Sequence, residues 1–137
     1  MTDLPVTDAT APAAPTSETV AAPASMEFSA LGLAPVLERA IADSGYTTMT
    51  QIQAKAIPVV LSGRDVMGAA QTGTGKTAAL VLPMITRLEK GRARARMPRT
   101  LILEPTRELA AQVEENFVKY GKNHKLNIAL LIGGVSF

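Results

Sequence analysis

The 137-residue chain contains no cysteine. That excludes a disulfide framework and any thiolate metal site, and it suits a reducing compartment. Long apolar runs are missing too. The longest uncharged one, from Ala78 to Thr86, stops at Arg87, well short of the roughly 18 residues of a membrane-spanning helix. The N-terminus has neither the basic segment nor the apolar stretch of a signal peptide, so the expected location is the cytoplasm. No internal repeat is present. Residues 1–25 lack any basic residue while holding Asp3, Asp8 and Glu18. They are Ala, Pro, Thr and Ser throughout, too poor in large apolar side chains to offset the entropy of ordering them, and are expected to form a disordered leader. Over residues 26–137, fourteen basic against nine acidic residues leave a charge of +5. A chain of this length with 47% hydrophobic and 19% charged residues has the composition of one soluble globular domain.

From Met26 onward the pattern becomes periodic. Leu33, Val36, Leu37, Ala40 and Ile41 recur at helical spacing, with Pro35 near the start and Gly45 just past the end. A second helix opens at Thr50 and is expected to kink or stop at Pro58. Residues 65–70, "DVMGAA", read as a buried strand leading into a glycine-rich loop. Thr77 to Lys90 then reads as a helix, although Pro83 argues against it. Residues 100–104, "TLILE", read as a second strand, Thr106 to Tyr120 as a helix ended by Gly121, and residues 127–132, "NIALLI", as a third strand. Apolar strands alternating with helices predict an α/β fold, a parallel sheet with flanking helices and right-handed crossovers. In such a fold the strand-to-helix turns share the carboxyl edge of the sheet, where ligands bind. The loop 70–77, Pro105-Thr106-Arg107 and Gly133-Gly134 are therefore expected to meet there.

The loop Ala70-Gln71-Thr72-Gly73-Thr74-Gly75-Lys76-Thr77 has the parts of a phosphate cradle. Gly73 and Gly75 let the backbone curl so that successive N–H groups face inward, and the next helix adds its positive N-terminal dipole. Lys76 supplies a compact charge for β/γ-phosphates, and the Thr77 hydroxyl is a Mg²⁺ ligand. The usual pattern begins with glycine where this chain has Ala70, at a strand end where alanine fits. The bland alternative is a plain strand–helix turn that happens to contain Gly-Lys-Thr. Gln53 carries two readings of its own. A carboxamide can pair bidentately with adenine, and Thr50-x-x-Gln53 is also a helix capping box. Phe28 is a candidate to stack on a base, or a core residue.

Taken together these residues resemble the DEAD-box RNA helicases, which couple ATP to RNA strand separation. The resemblance covers about 26–137. Phe28, Gly45-Tyr46 and Thr50-Gln51-Ile52-Gln53 are similar to the family's Q motif, with Gln53 as adenine reader and Phe28 as the upstream aromatic. "AQTGTGKT" is similar to motif I, which also begins with alanine, and "PTRELA" (105–110) to motif Ia. Gly133-Gly134 is similar to the next RNA-contact motif. The resemblance implies a RecA-like P-loop NTPase domain using ATP and Mg²⁺, with Pro105, Thr106, Arg107, Gly133 and Gly134 on the RNA backbone.

The sequence departs from the pattern in three ways. Met49 and Gln51 stand where the Q motif usually has prolines. Arg92-x-Arg94-x-Arg96 lengthens a connection. The chain ends at Phe137, before the Asp-Glu-Ala-Asp sequence, the Ser-Ala-Thr motif and a second RecA-like domain. Residues 26–137 are accordingly expected to be the N-terminal part of the first RecA-like domain, inactive alone. Glu104, an acid closing an apolar strand, imitates a metal-binding carboxylate, but in the resemblance its position is loosely specified and no metal is assigned to it. Rival functions are a small-molecule P-loop kinase, for which no lid or acceptor pocket is evident, and a nucleic-acid-binding module without hydrolysis. Finally, Lys90, Arg92, Arg94, Arg96, Arg99, Lys119, Lys122 and Lys125 fall in helix-to-strand turns. They are expected on the sheet edge opposite the loop, either as a solvated rim complementing helix ends or as a surface for RNA or an acidic partner.

Overall fold

A computed structural model describes residues 26–91 and 97–134. The expected leader, 1–25, and Arg92, Arg94 and Arg96 lie outside the described residues. A 3-10 helix, Phe28–Leu31, is followed by α1 (Pro35–Asp43), α2 (Gln51–Leu61), α3 (Lys76–Glu89) and α4 (Arg107–Gly121). Proline at the first position opens α1, where its missing N–H costs nothing, and Gly45 follows it at φ 80°. Thr106 caps α4, its hydroxyl accepting the Leu109 N–H at 3.3 Å.

Pro58 behaves differently from expectation, while the helix read through Pro83 is present. α2 runs through Pro58 to Leu61, and α3 runs through Pro83 to Glu89. In each helix the buried face outweighs one missing backbone bond. Ile57 is fully buried beside Pro58, and Val81, Leu82 and Ile85 are fully buried around Pro83, itself among the fully buried side chains. Each large aliphatic buried this way contributes about 1.5–3 kcal/mol, enough between them to offset the roughly 3 kcal/mol of an interior proline.

The contacts fix the helix directions. The start of α2 touches the start of α3 through Gln53 and Gly75, and the end of α2 touches the end of α3 through Val60 and Arg87. Lys122, after α4, pairs with Asp43 at the end of α1 at 2.7 Å. His124, also after α4, lies 3.5 Å from Glu89 at the end of α3. All four helices therefore run the same way, in the order α2, α3, α4, α1. A layer of parallel helices joined by extended returns is what right-handed crossovers produce. The hydrophobic core lies beneath this layer, built on Leu37, Ile41, Ile57, Leu82, Ile85 and Phe117.

The three segments expected as strands are a correction in part. Residues 65–70, 100–104 and 127–132 carry no assigned ladder. Among the described residues the one β-bridge joins Glu27 to Thr48, and no backbone hydrogen bond links the three segments to one another. Touching helices stand about 8–10 Å apart, roughly twice the strand spacing, so the segments that feed them need not reach bonding distance. In the second and third segments the side chains still alternate with the period of a strand, whereas residues 65–69, expected as a buried strand, are all exposed. Ile102 packs against the core while Leu101 and Leu103 are 78% and 82% exposed, and Leu130 and Ile132 are half-buried while Leu131 is 72% exposed. One face of each of these two segments meets the helices and the other is open.

At the far end of α4 the Lys119 ammonium lies 5.1 Å from the centre of the Tyr46 ring and 5.3 Å from that of Tyr120. Burial, and then the neighbouring Tyr46, push the Tyr120 hydroxyl from 10.0 up to about 12. The folded chain thus keeps this proton where the unfolded chain has lost it. Its contribution to stability is complete below pH 10 and is lost as the pH rises from about 10 to about 12. Thermal melts across that range are expected to fall, and Tyr120→Phe to remove that part of the fall. A Tyr120→Phe curve of unchanged shape would assign the alkaline loss to other groups.

Candidate functional site

The parallel helices put three N-termini on one edge, and the residues expected to bind ligands cluster there. The loop 70–75 enters α3 through Gly75 at φ 82° and ψ 24°, with Gly73 at φ 80°. Two left-handed glycines in a turn that opens a helix aim backbone N–H groups at one point, an anion nest. The turn is closed by its own side chains. The Thr74 hydroxyl donates to the Gln71 carbonyl at 2.5 Å, and the Lys76 ammonium donates to the Ala70 carbonyl. Lys76 is exposed and Thr77 half-buried in the first turn of α3, while Gln71, Thr72 and Gly73 are exposed. The lysine therefore rests across the mouth of its own loop.

Gln53 is 5% exposed and does two jobs at once. Its carboxamide oxygen accepts the Thr50 N–H at 2.9 Å, and its backbone N–H reaches the Thr50 hydroxyl at 3.5 Å, so the capping box is formed. Its amide nitrogen donates to the Gly75 carbonyl at 3.3 Å. One acceptor lone pair and one N–H remain, the complement that a bidentate base contact uses. The bond to Gly75 was not legible in the sequence, because nothing in the spacing of two residues 22 apart announces it. Its trace is Gly75 itself: a side chain there would collide with the Gln53 amide, as well as requiring a left-handed backbone that L-residues rarely adopt.

Phe28 stands apart from the loop. Its ring is 5% exposed within the core, and its N–H donates to the Thr47 carbonyl at 3.2 Å. With Met49 N–H bonded to Met26 carbonyl at 2.9 Å, it ties the segment before α1 to the entry of α2.

The second group belongs to α4. Pro105, Thr106 and Arg107 are exposed at its start. Gly134, at φ 84°, lies directly under the Arg107 guanidinium: a Cβ there would be 3.0 Å from a guanidinium nitrogen. Gly133 precedes it in the same turn, with open space around it. The expected meeting of 105–107 with 133–134 is therefore observed, though the direct Arg107–Gly134 contact had no sequence signal. Glu104 is half-buried at the end of its extended segment. Among the described residues no group of three or more His, Cys, Asp or Glu is placed to hold a metal ion, and none of the helices is long and apolar enough to cross a membrane.

Comparison with known proteins decides what this arrangement belongs to. The family model of DEAD/DEAH box helicases matches residues 50–137, more than half of the chain. The chain belongs to the DEAD/DEAH box helicase family. It is similar to ATP-dependent RNA helicase SrmB of Escherichia coli strain K12, 50% identical over 111 residues that cover 80% of this chain and 25% of that protein. ATP-dependent RNA helicase DeaD of Mycobacterium tuberculosis strain H37Rv is 46% identical over 111 residues, covering 80% of this chain and 19% of the relative. Among solved structures, a DEAD box protein from Methanococcus jannaschii superposes with a TM-score of 0.73 at 35% identity, over 81% of this chain and 30% of that one. The RNA-helicase Prp28 from Chaetomium thermophilum bound to ADP gives 0.75 at 36% identity, over 82% and 28%. The backbone of this DEAD-box chain thus follows the α/β, RecA-like fold of the family. It spans about a fifth to a quarter of the length of these curated relatives.

Proposed function

We propose that this chain carries the ATP-binding loop and the first RNA contacts of an ATP-dependent RNA helicase, acting in the cytoplasm. The observation that carries the reading is the shared edge. The left-handed loop before α3 and the Arg107–Gly134 pair before α4 open on the same side of the helix layer. In this reading the loop amides of 71–75 surround the phosphates of ATP and Lys76 leaves the Ala70 carbonyl to pair with them. The residues fit that ligand. The two glycines give the nest its curvature, and the missing side chain at Gly75 lets the Gln53 amide lie directly against the loop. Thr77, in the first turn of α3, would hold Mg²⁺, which neutralises charge on the transferred phosphoryl group when bound. Phe28, buried in the core, holds the segment carrying Gln53 in place and serves the site through that support rather than by stacking on a base. Pro105, Thr106, Arg107 and the Gly133-Gly134 backbone would grip RNA phosphates, recognising shape rather than base identity. Arg92, Arg94 and Arg96 would extend RNA or acidic-partner binding along the opposite rim.

Nucleotide choice tests the reading at Gln53. ATP is expected to bind more tightly than GTP, and Gln53→Ala to cost ATP about 1–3 kcal/mol more than it costs GTP. Titration of both nucleotides against both proteins measures this. Equal losses would leave Gln53 as a cap and loop anchor with no base to read. A non-hydrolysing binding module remains the second reading. RNA-stimulated turnover in the longer protein separates the two.

A further inference from the structure

At the opposite edge, where α2 and α3 end, two arginines frame a cleft of about 410 Å³ lined by Val60, Met84, Arg87, Leu88, Arg99 and Thr100. α3 is 14 residues long, so at 1.5 Å per residue this cleft lies about 20 Å from the phosphate loop. Both guanidinium groups are held in place. Arg87 donates to the Val60 carbonyl at 3.2 Å, and Arg99 donates to the Leu88 carbonyl at 2.7 Å. Arg99 also lies so close over Gly91 that a side chain there would collide with it. Each bond uses one of the five N–H groups of a guanidinium, which leaves the rest as donors already fixed in direction. Capping a helix end accounts for the anchoring bonds but not for the pairing of two cations across one cleft.

The charged residues from Arg87 to Arg99 are mostly basic. Residues 87–99 hold Arg87, Lys90, Arg92, Arg94, Arg96 and Arg99 against the single acid Glu89. Glu89 lies 3.5 Å from His124, and among the described residues no ion pair joins it to an arginine. Among the described residues no aromatic side chain lines the cleft, so none offers a base a surface to stack on. The cleft offers two cations with donors fixed in direction, the complement of a backbone that carries one negative charge per unit.

We propose that the Arg87–Arg99 cleft is a second, sequence-indifferent site for the phosphate backbone of single-stranded RNA, remote from the ATP loop. It rests on the reading above that RNA is the substrate, and it adds a place where RNA is held without contact to the Arg107–Gly134 edge. A strand held there stays near the enzyme between cycles of binding and release at the other edge.

Counterion release supplies the test. Fluorescent oligouridine is titrated against the protein over a range of salt, for wild type and for the Arg87→Gln, Arg99→Gln double variant. Glutamine keeps a donor for the Val60 and Leu88 carbonyls, and thermal melts check that the fold survives. The slope of log affinity against log salt is expected to fall by about 0.7 for each lost contact, about 1.4 for both. Arg87→Lys with Arg99→Lys should restore it, and affinity for an ATP analogue should stay unchanged. An unchanged slope in the glutamine variant overturns the proposal. An unchanged slope together with lost retention on polyglutamate gives the cleft to an acidic protein segment instead. Wild-type protein that binds no oligouridine, with Arg107→Ala equally silent, would fail the RNA reading itself and not merely this site.

Discussion

Gly75→Ala is expected to lower ATP affinity about tenfold or more, from one methyl group that contacts no nucleotide. Two costs act together. Alanine at φ 82° occupies a region that costs a non-glycine residue about 1–2 kcal/mol. The new Cβ also collides with the Gln53 amide, so either the loop opens or Gln53 gives up its bond to the Gly75 carbonyl. The two costs can be separated. Adding Gln53→Ala removes the collision and leaves the backbone strain, so the double variant should be less impaired than the sum of the single ones, a non-additivity expected of residues in contact. Isothermal titration with ATP across the four proteins of the cycle measures it. Strictly additive losses would mean that the Gln53–Gly75 contact does not shape the loop.

Lys76→Ala is expected to have the larger effect, and to have it selectively. In the structure the ammonium bonds to the Ala70 carbonyl, a contact it can exchange for a phosphate without crossing the protein. Losing a charge-assisted bond to the β/γ-phosphates should cost about 1.5–3 kcal/mol of ATP affinity, roughly ten- to hundredfold. AMP, which has neither phosphate, should bind almost as before. Turnover in the longer protein should fall further, by about 10²–10³, because the same charge stabilises the transferring group. Equal losses for ATP and AMP would place the loop elsewhere on the ligand.

Helix positions were legible wherever a terminus carried its own chemistry. Pro35 and Gly45 bracket α1, and Thr106 marks the start of α4 within a residue. Thr50 and Gln53 announce the box that opens α2. Pro58 misled because local propensity says nothing of how much apolar surface the same helix buries, and the helix read through Pro83 is present for that reason. Strand character was legible as short apolar runs in 100–104 and 127–132, but pairing was not, since a ladder depends on what stands beside the segment rather than on its own residues. At the site, the glycines, Lys76 and Thr77 could be named from spacing because they act through local backbone. Gln53 with Gly75, and Arg107 with Gly134, are contacts across 22 and 27 residues that appear only once parallel helices bring their starting ends together. The basic rim shows the same limit. Its residues could be counted, but the cleft that sets Arg87 opposite Arg99 could not.

The most direct test is steady-state ATP hydrolysis by the full-length protein containing this chain, measured with and without single-stranded RNA, for wild type and Lys76→Ala. Turnover in the wild type that rises with RNA and vanishes with Lys76→Ala is the predicted result. RNA-independent turnover, or turnover that survives the loss of Lys76, would contradict it.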